Sequence, residues 1–320
     1  MPLAGAGRPE HGANKDRQVS EDMSGEKKFY SGFIPIVGRP NVGKSSIMNA
    51  MIGEKVAIVS NRPQTTRNRI MGVVTTEDSQ FVFLDTPGIH EPRTRLGEYM
   101  MHSVRDAMEG MDCVLMVADV TSVREKDLEI AGSLSGKKVP RILAINKIDL
   151  VKPEEILAVT AKFADLGFDE IIPVSAVSGS GLQELASCLT AHLPEGPRYF
   201  PEDMMTDQPE RLLCAEIIRE KALRHLREEI PHGIGVEMMQ IEELSEGLTE
   251  MHATLYCEKD SHKRIIIGKQ GSMLKVIGSE AREDIEKLLN THVNLKLWVK
   301  IRPDWRNNLS DLKTLGYETK

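Results

Sequence analysis

The sequence predicts two domains: an α/β domain built on a mostly parallel, doubly wound sheet, and after it a smaller α+β domain. Three observations predict this. The chain has 320 residues, more than one ordinary core requires. From Phe33 to about Leu193, short β-branched runs alternate with longer helical ones, the pattern of a parallel sheet covered on both faces. Residues 194–209 then carry four prolines and Gly196, and the order of elements beyond this break is different.

In the first domain, taken as residues 29–193, the expected strands are Phe33–Val37, Ile70–Thr75, Phe81–Asp85, Cys113–Asp119, Arg141–Asn146 and Ile171–Val174. The expected helices are Ser45–Ile52, Gly97–Met108, Glu125–Leu134, Pro153–Leu166 and Gly181–His192. Pro35 is out of place, because in a central strand it removes a ladder donor. Residues 194–210 form the linker or strap. The second domain, residues 211–308, opens with an amphipathic helix, Arg211–Glu229, followed by strands Val236–Glu243 and Met251–Cys257. Next come the β-branched stretch Arg264–Gly268, two short helices (Ser272–Val276 and Ser279–Asn290) and a last strand, Asn294–Ile301. Residues 309–320 are expected to be a tail. Residues 1–28 are polar and of mixed charge, and read as a disordered extension.

Composition narrows the function classes. A hydrophobic fraction of 40% and a charged fraction of 28% describe a globular protein, and no apolar run approaches the ~20 residues that cross a bilayer. Glu10, Asp16, Glu21 and Asp22 argue against a mitochondrial presequence. Cys113, Cys188, Cys214 and Cys257 are scattered without a CxxC pair, as expected of reduced thiols in a cytosolic protein. The net charge of −7 resides entirely in residues 1–210, while residues 211–320 balance to zero. Within the latter, Lys259, Lys263, Arg264, Lys269 and Lys275 form a basic cluster opposed only by Asp260. Nucleic acid is therefore not excluded, and the local pattern favours it.

Gly38-Arg39-Pro40-Asn41-Val42-Gly43-Lys44-Ser45 fits G-x-x-x-x-G-K-[ST], between an expected strand and an expected helix. Glycines let backbone N–H groups wrap phosphates, and the helix N-terminus favours negative charge. In this motif Lys44 neutralises the β- and γ-phosphates and Ser45 offers a hydroxyl to magnesium. Asp85-Thr86-Pro87-Gly88 ends an apolar strand, where Asp85 can hold magnesium and Gly88 can present its N–H to the γ-phosphate. Asn146-Lys147-Ile148-Asp149 supplies a carboxylate for the N1–H and 2-amino donors of guanine, a pair that adenine lacks. Ser175-Ala176, after the last strand of this domain, resembles the backbone contact to guanine O6 of the translation-factor and Ras-like GTPases. Three ordered motifs converge on GTP and GDP, with magnesium held by Ser45, Thr66 and Asp85. In Pro63-Gln64-Thr65-Thr66-Arg67, Thr66 is the chosen magnesium ligand and Thr65 the alternative. The nucleotide residues are thus Gly38, Asn41, Val42, Gly43, Lys44, Ser45, Ser46, Asp85, Gly88, Asn146, Lys147, Asp149, Ser175 and Ala176. Lys44, Thr66, Asn41 and Gly88 are the catalytic candidates. Ile89 stands where Ras has the glutamine that orients the attacking water, so unaided hydrolysis should be slow.

In the second domain Gly268-Lys269-Gln270-Gly271 is a GxxG loop of the kind that clamps single-stranded RNA. Lys263, Arg264, Gly268, Lys269, Gln270, Gly271 and Lys275 are the candidate RNA contacts, with Lys300 and Arg306 as further phosphate contacts. Aromatic residues are only 4% of the chain, so base stacking cannot be widespread, and Trp298 and Trp305 are both expected in the core. The order helix–strand–strand–helix–helix–strand resembles the bacterial type of KH domain.

A guanine-type P-loop domain followed by one KH domain resembles the Era family of bacterial ribosome-assembly GTPases, over roughly Lys28 to Asn308. The more telling pieces are Pro63–Arg67, Pro194-Glu195-Gly196-Pro197, Tyr199–Asp203 and Asp304–Asn308. The resemblance implies an α/β P-loop GTPase domain and a KH domain, and binding near the 3′ end of the small-subunit ribosomal RNA. It also implies a role in small-subunit assembly, a monomer, and a cytoplasmic location with peripheral association at the inner face of the membrane. Asn41 resembles the asparagine with which related GTPases hold a potassium ion. The N-terminal extension and Pro35 depart from the family pattern. The competing reading is a signalling or cell-cycle switch whose second domain docks a protein, which would have no need of Gly268 and Gly271.

Overall fold

The computed structural model describes residues 28–60, 65–227 and 230–317. Most of the N-terminal extension, Pro63 and Gln64, and the end of the expected helix Arg211–Glu229 lie outside the described residues. The first domain has strands β1 (Tyr30–Val37), β2 (Ile70–Thr75), β3 (Ser79–Asp85), β4 (Val114–Asp119), β5 (Arg141–Asn146) and β6 (Glu170–Pro173). Its helices are α1 (Lys44–Ile52), α2 (Arg95–Ala107), α3 (Glu125–Leu134), α4 (Pro153–Phe163) and α5 (Leu182–His192). The strands lie in the order β2-β3-β1-β4-β5-β6, parallel except for β2, which runs antiparallel to β3. One face buries Ile47 and Met48 of α1 with Leu185 and Leu189 of α5. The other buries Ile130 and Leu134 of α3 with Val159 and Phe163 of α4. The sheet is thus doubly wound, and its order reverses beside β1, where a ligand crevice opens at the carboxyl ends of the strands.

Pro35 is accommodated at a margin. Phe33 donates its N–H to the Asp112 carboxylate at 2.8 Å, so the two-residue period aims the Pro35 nitrogen towards the same side. Regular pairing with β4 begins only at Ile36↔Leu115, whereas the ladder with β3 runs through Pro35↔Leu84. The missing donor therefore falls just before the β4 ladder starts.

Residues 194–209 form a strap bound to the first domain. Ser31 N–H donates to the Pro194 carbonyl (3.1 Å) and Val73 N–H to that of Met205 (2.8 Å). The Gln80 amide accepts from the Tyr199 and Phe200 N–H groups and donates to the Phe200 carbonyl. The linker is fixed against the sheet edge, and the second domain starts from a defined point.

That domain comprises α6 (Glu210–His225), β7 (Gly235–Ser245), β8 (Leu248–Cys257), α7 (Asp260–Ile267), α8 (Ser272–Leu289), β9 (His292–Ile301) and α9 (Leu309–Thr314). Strand β8 is central, antiparallel to β7 and parallel to β9. Ile218, Leu255, Ile266, Ile277 and Ile285 lie in its core.

Four expectations are corrected. Arg264–Gly268 is not a separate stretch: its residues up to Ile267 are the end of α7, which caps on Gly268. The two expected helices after it are one, because burial of Ile277, Ala281 and Ile285 at four-residue spacing carries α8 through Gly278. A Cβ at Gly278 would stand 3.2 Å from Leu297 Cδ1, so glycine there allows close packing on β9 and does not break the helix. Trp298 is 44% exposed and not in the core, since alternation in β9 puts Val293 and Val299 inward and Trp298 on the open face against His252. Residues 309–317 are not a tail: Leu312, Leu315 and Tyr317 pack with Leu96 and Met100 of α2 and join the domains. Trp305 is fully buried as expected and donates its indole N–H to the Gly233 carbonyl at 2.9 Å.

Candidate functional site

The loop from Gly38 to Ser45 joins β1 to α1 at the reversal of the sheet. Its shape requires glycine at Gly43, which has φ 101° and where a Cβ would lie 2.1 Å from the Asn146 side chain. Lys44 is buried, and its ammonium donates to the Gly38 and Arg39 carbonyls at 3.4 and 3.2 Å. Burial pushes its pKa down, opposed by the nearby Asp85 carboxylate. A desolvated ammonium folded over a loop of backbone donors is poised for a strongly anionic ligand.

Asp85 ends β3 below this loop. Its Oδ2 accepts from Ser45 Oγ at 2.5 Å and from Thr66 Oγ1 at 3.1 Å, and the two hydroxyls are 3.0 Å apart. Burial raises the Asp85 pKa, while Lys44 and the two hydroxyl hydrogen bonds pull it back. Oδ1 is buried without a hydrogen-bond partner among the described residues. A buried carboxylate oxygen left over beside two hydroxyls is an oxygen donor set that suits magnesium. All three metal candidates thus meet at one point, where the Thr66 hydroxyl stands beside Asp85, whereas the Thr65 hydroxyl donates to the Ser60 carbonyl at 3.3 Å. Gly88 lies against the loop, where a Cβ would stand 2.6 Å from the Pro40 nitrogen.

The base-recognition motifs converge on the same loop. Asn146 donates to the Val42 carbonyl (3.0 Å) and accepts from the Ala176 N–H (3.2 Å), tying the loop to the turn after β6. Ser175 is buried and donates its hydroxyl to Asp149 Oδ1 at 2.5 Å, while the carboxylate itself is exposed. Lys147 adopts φ 69° and reaches the Asn41 carbonyl (3.0 Å) and Asp119 Oδ2 (2.5 Å). Ser46 and Ala176 line one further recess beside α1. Asn41, Gly43, Lys44, Ser45, Ser46, Gly88 and Lys147 line one recess with Thr66, and the Asn146 hydrogen bonds tie its loop to the turn that carries Ser175 and Ala176.

Asp119 was missed. Burial alone would raise its pKa, but hydrogen bonds from Lys147 and Thr121 hold it below the usual carboxylate range. Its signal was available: an acid closing an apolar strand, in register with Asn146. Ile89 packs with the cluster around Val37 and Ile130, as a residue with no polar atom to offer a water must.

In the second domain the glycine loop joins α7 to α8, with Gly268, Gln270 and Gly271 at φ 73°, 52° and 80°. Below it, Gly271, Leu274, Lys275, Gly278, Arg282 and Leu297 line an open groove between α8 and β9. Lys269, Gln270 and Lys275 are exposed at the loop and on α8. Lys263 and Arg264 lie on α7 outside that groove, and Arg264 pairs with Asp260 at 3.0 Å. Arg306 is held by Glu258 at 2.9 and 2.7 Å, so it is not a free phosphate contact; Lys300 is exposed on β9. Gly278, Leu274 and Arg282 escaped sequence reasoning because only the packing of α8 on β9 makes them groove residues.

Comparison with known proteins agrees with the fold. Residues 33–147 match the 50S ribosome-binding GTPase family and residues 229–306 the KH domain family. The GTPase Era of Ruminiclostridium cellulolyticum is 48% identical over 293 residues, covering 91% of this chain and 98% of that protein. The GTPase Era of Alkaliphilus metalliredigens is 52% identical over 293 residues, covering 91% of this chain and 99% of that protein. Among solved structures, Era in complex with MgGDPNP and nucleotides 1506–1542 of 16S ribosomal RNA aligns with a TM-score of 0.87 at 39% identity. That alignment covers 91% of this chain and all of the other. A single-residue variant of Aquifex aeolicus Era bound to GDP.AlF4- gives the same TM-score, identity and coverage.

Proposed function

Because the chain belongs to the Era family of GTPases, we propose that it is a GTP-driven switch that binds single-stranded ribosomal RNA near the 3′ end of the small-subunit RNA and assists assembly of that subunit. The protein hydrolyses GTP to GDP and phosphate. The observation that carries the proposal is the pairing, in one chain, of the guanine crevice with a glycine-loop groove lined by Lys275 and Arg282. A protein-docking surface has no need of Gly268 and Gly271, the two loop glycines at φ 73° and 80°. The solved Era relative is itself in complex with nucleotides 1506–1542 of 16S ribosomal RNA.

Chemistry at the first site follows from its donors. Lys44 and the Gly88 N–H supply positive potential for the β- and γ-phosphates, and both sit in a desolvated pocket where such potential acts strongly. Asn146 and Asp149 hold the base, and Lys147, fixed by Asp119, covers it. Ser45, Thr66 and Asp85 would hold magnesium, which supplies charge neutralisation across the phosphates. Asn41, exposed with φ 66° at the loop crest, would hold a potassium ion beside them. Unaided hydrolysis is slow, since Ile89 cannot orient the attacking water.

The proposal extends to a monomer in the cytoplasm, with peripheral contact at the inner face of the membrane. Among the described residues no helix is long and apolar enough to cross one. Filter binding tests the central reading with a short single-stranded RNA copied from the 3′ end of small-subunit ribosomal RNA. Binding to that RNA in preference to a scrambled one is expected, and equal binding to both would refute the proposal.

A further inference from the structure

Thr66, the metal-ligating threonine, sits in a stretch, residues 65–69, that has no helix and no strand until β2 starts. Something other than local structure must hold its hydroxyl on Ser45 and Asp85. The residues on both sides of it are anchored in the second domain. The carbonyl of Thr65 accepts from the Arg219 guanidinium of α6. Arg67 reaches into the second domain, donating to the Ile234 carbonyl at 2.7 Å, the His232 carbonyl at 3.1 Å and the Tyr317 hydroxyl at 3.2 Å. Its guanidinium lies 5.5 Å from the centre of the Trp305 ring. Arg67 is 1% exposed and Arg219 fully buried.

We propose that Arg67 and Arg219 are positioning residues through which the second domain holds Thr66 in the magnesium cluster, so that docking of that domain and the triphosphate state favour each other. The proposal rests on the GTP-switch reading given above and names its internal link.

An ordinary structural contact would look different. Arg67 forms no ion pair among the described residues, and burial lowers its pKa, with Arg219 adding repulsion and Tyr317 and Glu216 opposing. A buried charge without an acid partner costs more than a well-packed apolar side chain of the same size. What arginine adds is direction: three hydrogen bonds that specify where residue 67 lies. Consecutive Cα atoms are ~3.8 Å apart, so a shift of residue 67 or 65 is passed to Thr66 almost undiminished. A route to the RNA groove exists as well. Helix α8 lines the groove with Lys275, Gly278 and Arg282, and it also carries Asp284, which accepts from Lys55 of the first domain at 2.9 Å. Lys55 further pairs with the buried Glu220 of α6.

Linkage requires the coupling to be the same factor in both directions, typically ~5- to 150-fold. The test uses the full chain, a non-hydrolysable GTP analogue, GDP, magnesium and the 3′-end RNA oligonucleotide, with parent, Arg67→Met and Arg219→Gln. In the parent, the analogue should tighten RNA binding relative to GDP, and RNA should tighten analogue binding by the same factor. In Arg67→Met both factors should fall to about one, and magnesium-dependent affinity for the analogue should drop roughly tenfold while GDP affinity holds within about twofold. A role limited to stability would weaken both nucleotides alike. Arg219→Gln removes the bond to Thr65 while staying buried, and decides the matter if Arg67→Met does not fold. Folded variants that keep the parental preference for triphosphate over diphosphate would overturn the proposal. A parent that binds no RNA would refute the wider functional reading instead, and the loss of triphosphate preference in the variants would still decide this one.

Discussion

Asp149→Asn should convert the chain from guanine to xanthine recognition. Among the described residues the Asp149 carboxylate is oriented by the Ser175 hydroxyl, which donates to Oδ1 at 2.5 Å. Ser175 is itself buried and adjoins Ala176, whose N–H holds Asn146, so this orientation is built into the turn after β6. An asparagine keeps an oxygen for Ser175 and places its NH2 where Oδ2 was. That NH2 would face the N1–H and 2-amino donors of guanine, donor against donor. Two charge-assisted hydrogen bonds are lost, each worth ~1.5–3 kcal/mol, for a total of about 3–6 kcal/mol. The GTP dissociation constant should therefore rise roughly a hundredfold to ten-thousandfold. Xanthosine triphosphate, with an acceptor oxygen at position 2, should gain affinity. Competition against a fluorescent guanine nucleotide measures both, and retention of GTP affinity within about tenfold of the parent would refute the assignment of Asp149.

Turnover should be faster in potassium than in sodium, with the difference abolished by Asn41→Ala; equal rates in the two salts would refute the cation role of Asn41. Gly268→Asp combined with Gly271→Asp should abolish RNA binding in a filter assay while GTP hydrolysis persists, with circular dichroism confirming the fold. A side chain at Gly268 would meet Met273 at 2.8 Å, and each aspartate would add a negative charge to the loop proposed to meet phosphate. Asp284 provides a pH signature. Burial would raise its pKa, but hydrogen bonds from Lys221 and Lys55 hold it down at about 2, below the usual carboxylate range. A folded-state pKa below the unfolded one stabilises at neutral pH, and that contribution fades as pH falls from about 4 towards 2. At 1.36 kcal/mol per pKa unit, and allowing for solvent screening of a partly exposed pair, Asp284→Asn should cost about 1–2 kcal/mol in denaturant unfolding at pH 7. The gap between variant and parent should close in acid; a gap independent of pH would contradict the ion-pair origin.

The nucleotide site was legible in the sequence because its chemistry sits at strand ends. Asp85 closes β3, Asn146 closes β5 and Gly38 follows β1, so each apolar run points to the polar residue that terminates it. Asp119 obeys the same rule, yet it belongs to no recognised motif and shows its purpose only through Lys147. The glycine loop of the second domain was legible too, but not the elements around it. Ile265, Ile266 and Ile267 read as extended, whereas one buried position, Ile266, is enough to seat α7 on the core. Glycine read as a breaker at position 278, where the proximity of Leu297 makes it a packing residue. Arg67 stood out in the sequence only as the end of the Pro63–Arg67 resemblance, and nothing there signalled its burial. A charged residue in a polar turn is expected in solvent, and only the second domain, far along the chain, supplies the carbonyls and the indole ring that bury it.

The hydrophobic Ile89 and the buried Arg67 are two sides of one design. A residue that positioned the attacking water in cis would let the chain hydrolyse GTP whenever nucleotide was bound. Ile89 leaves that position apolar, its side chain directed to the cluster of Val37 and Ile130 while its N–H donates to the Gly38 carbonyl at 3.2 Å. The catalytic candidates that remain, Lys44, the Gly88 N–H and the proposed magnesium ligands, would act by electrostatics, and electrostatic stabilisation depends on how well each group is held in place. Lys44 is held by the loop and Asp85 by the sheet. Thr66 is the one member of this set whose neighbours in the chain are secured by the other domain. On the proposal made above, the place of Thr66 depends on the contact between domains in which Arg67 and Arg219 are buried.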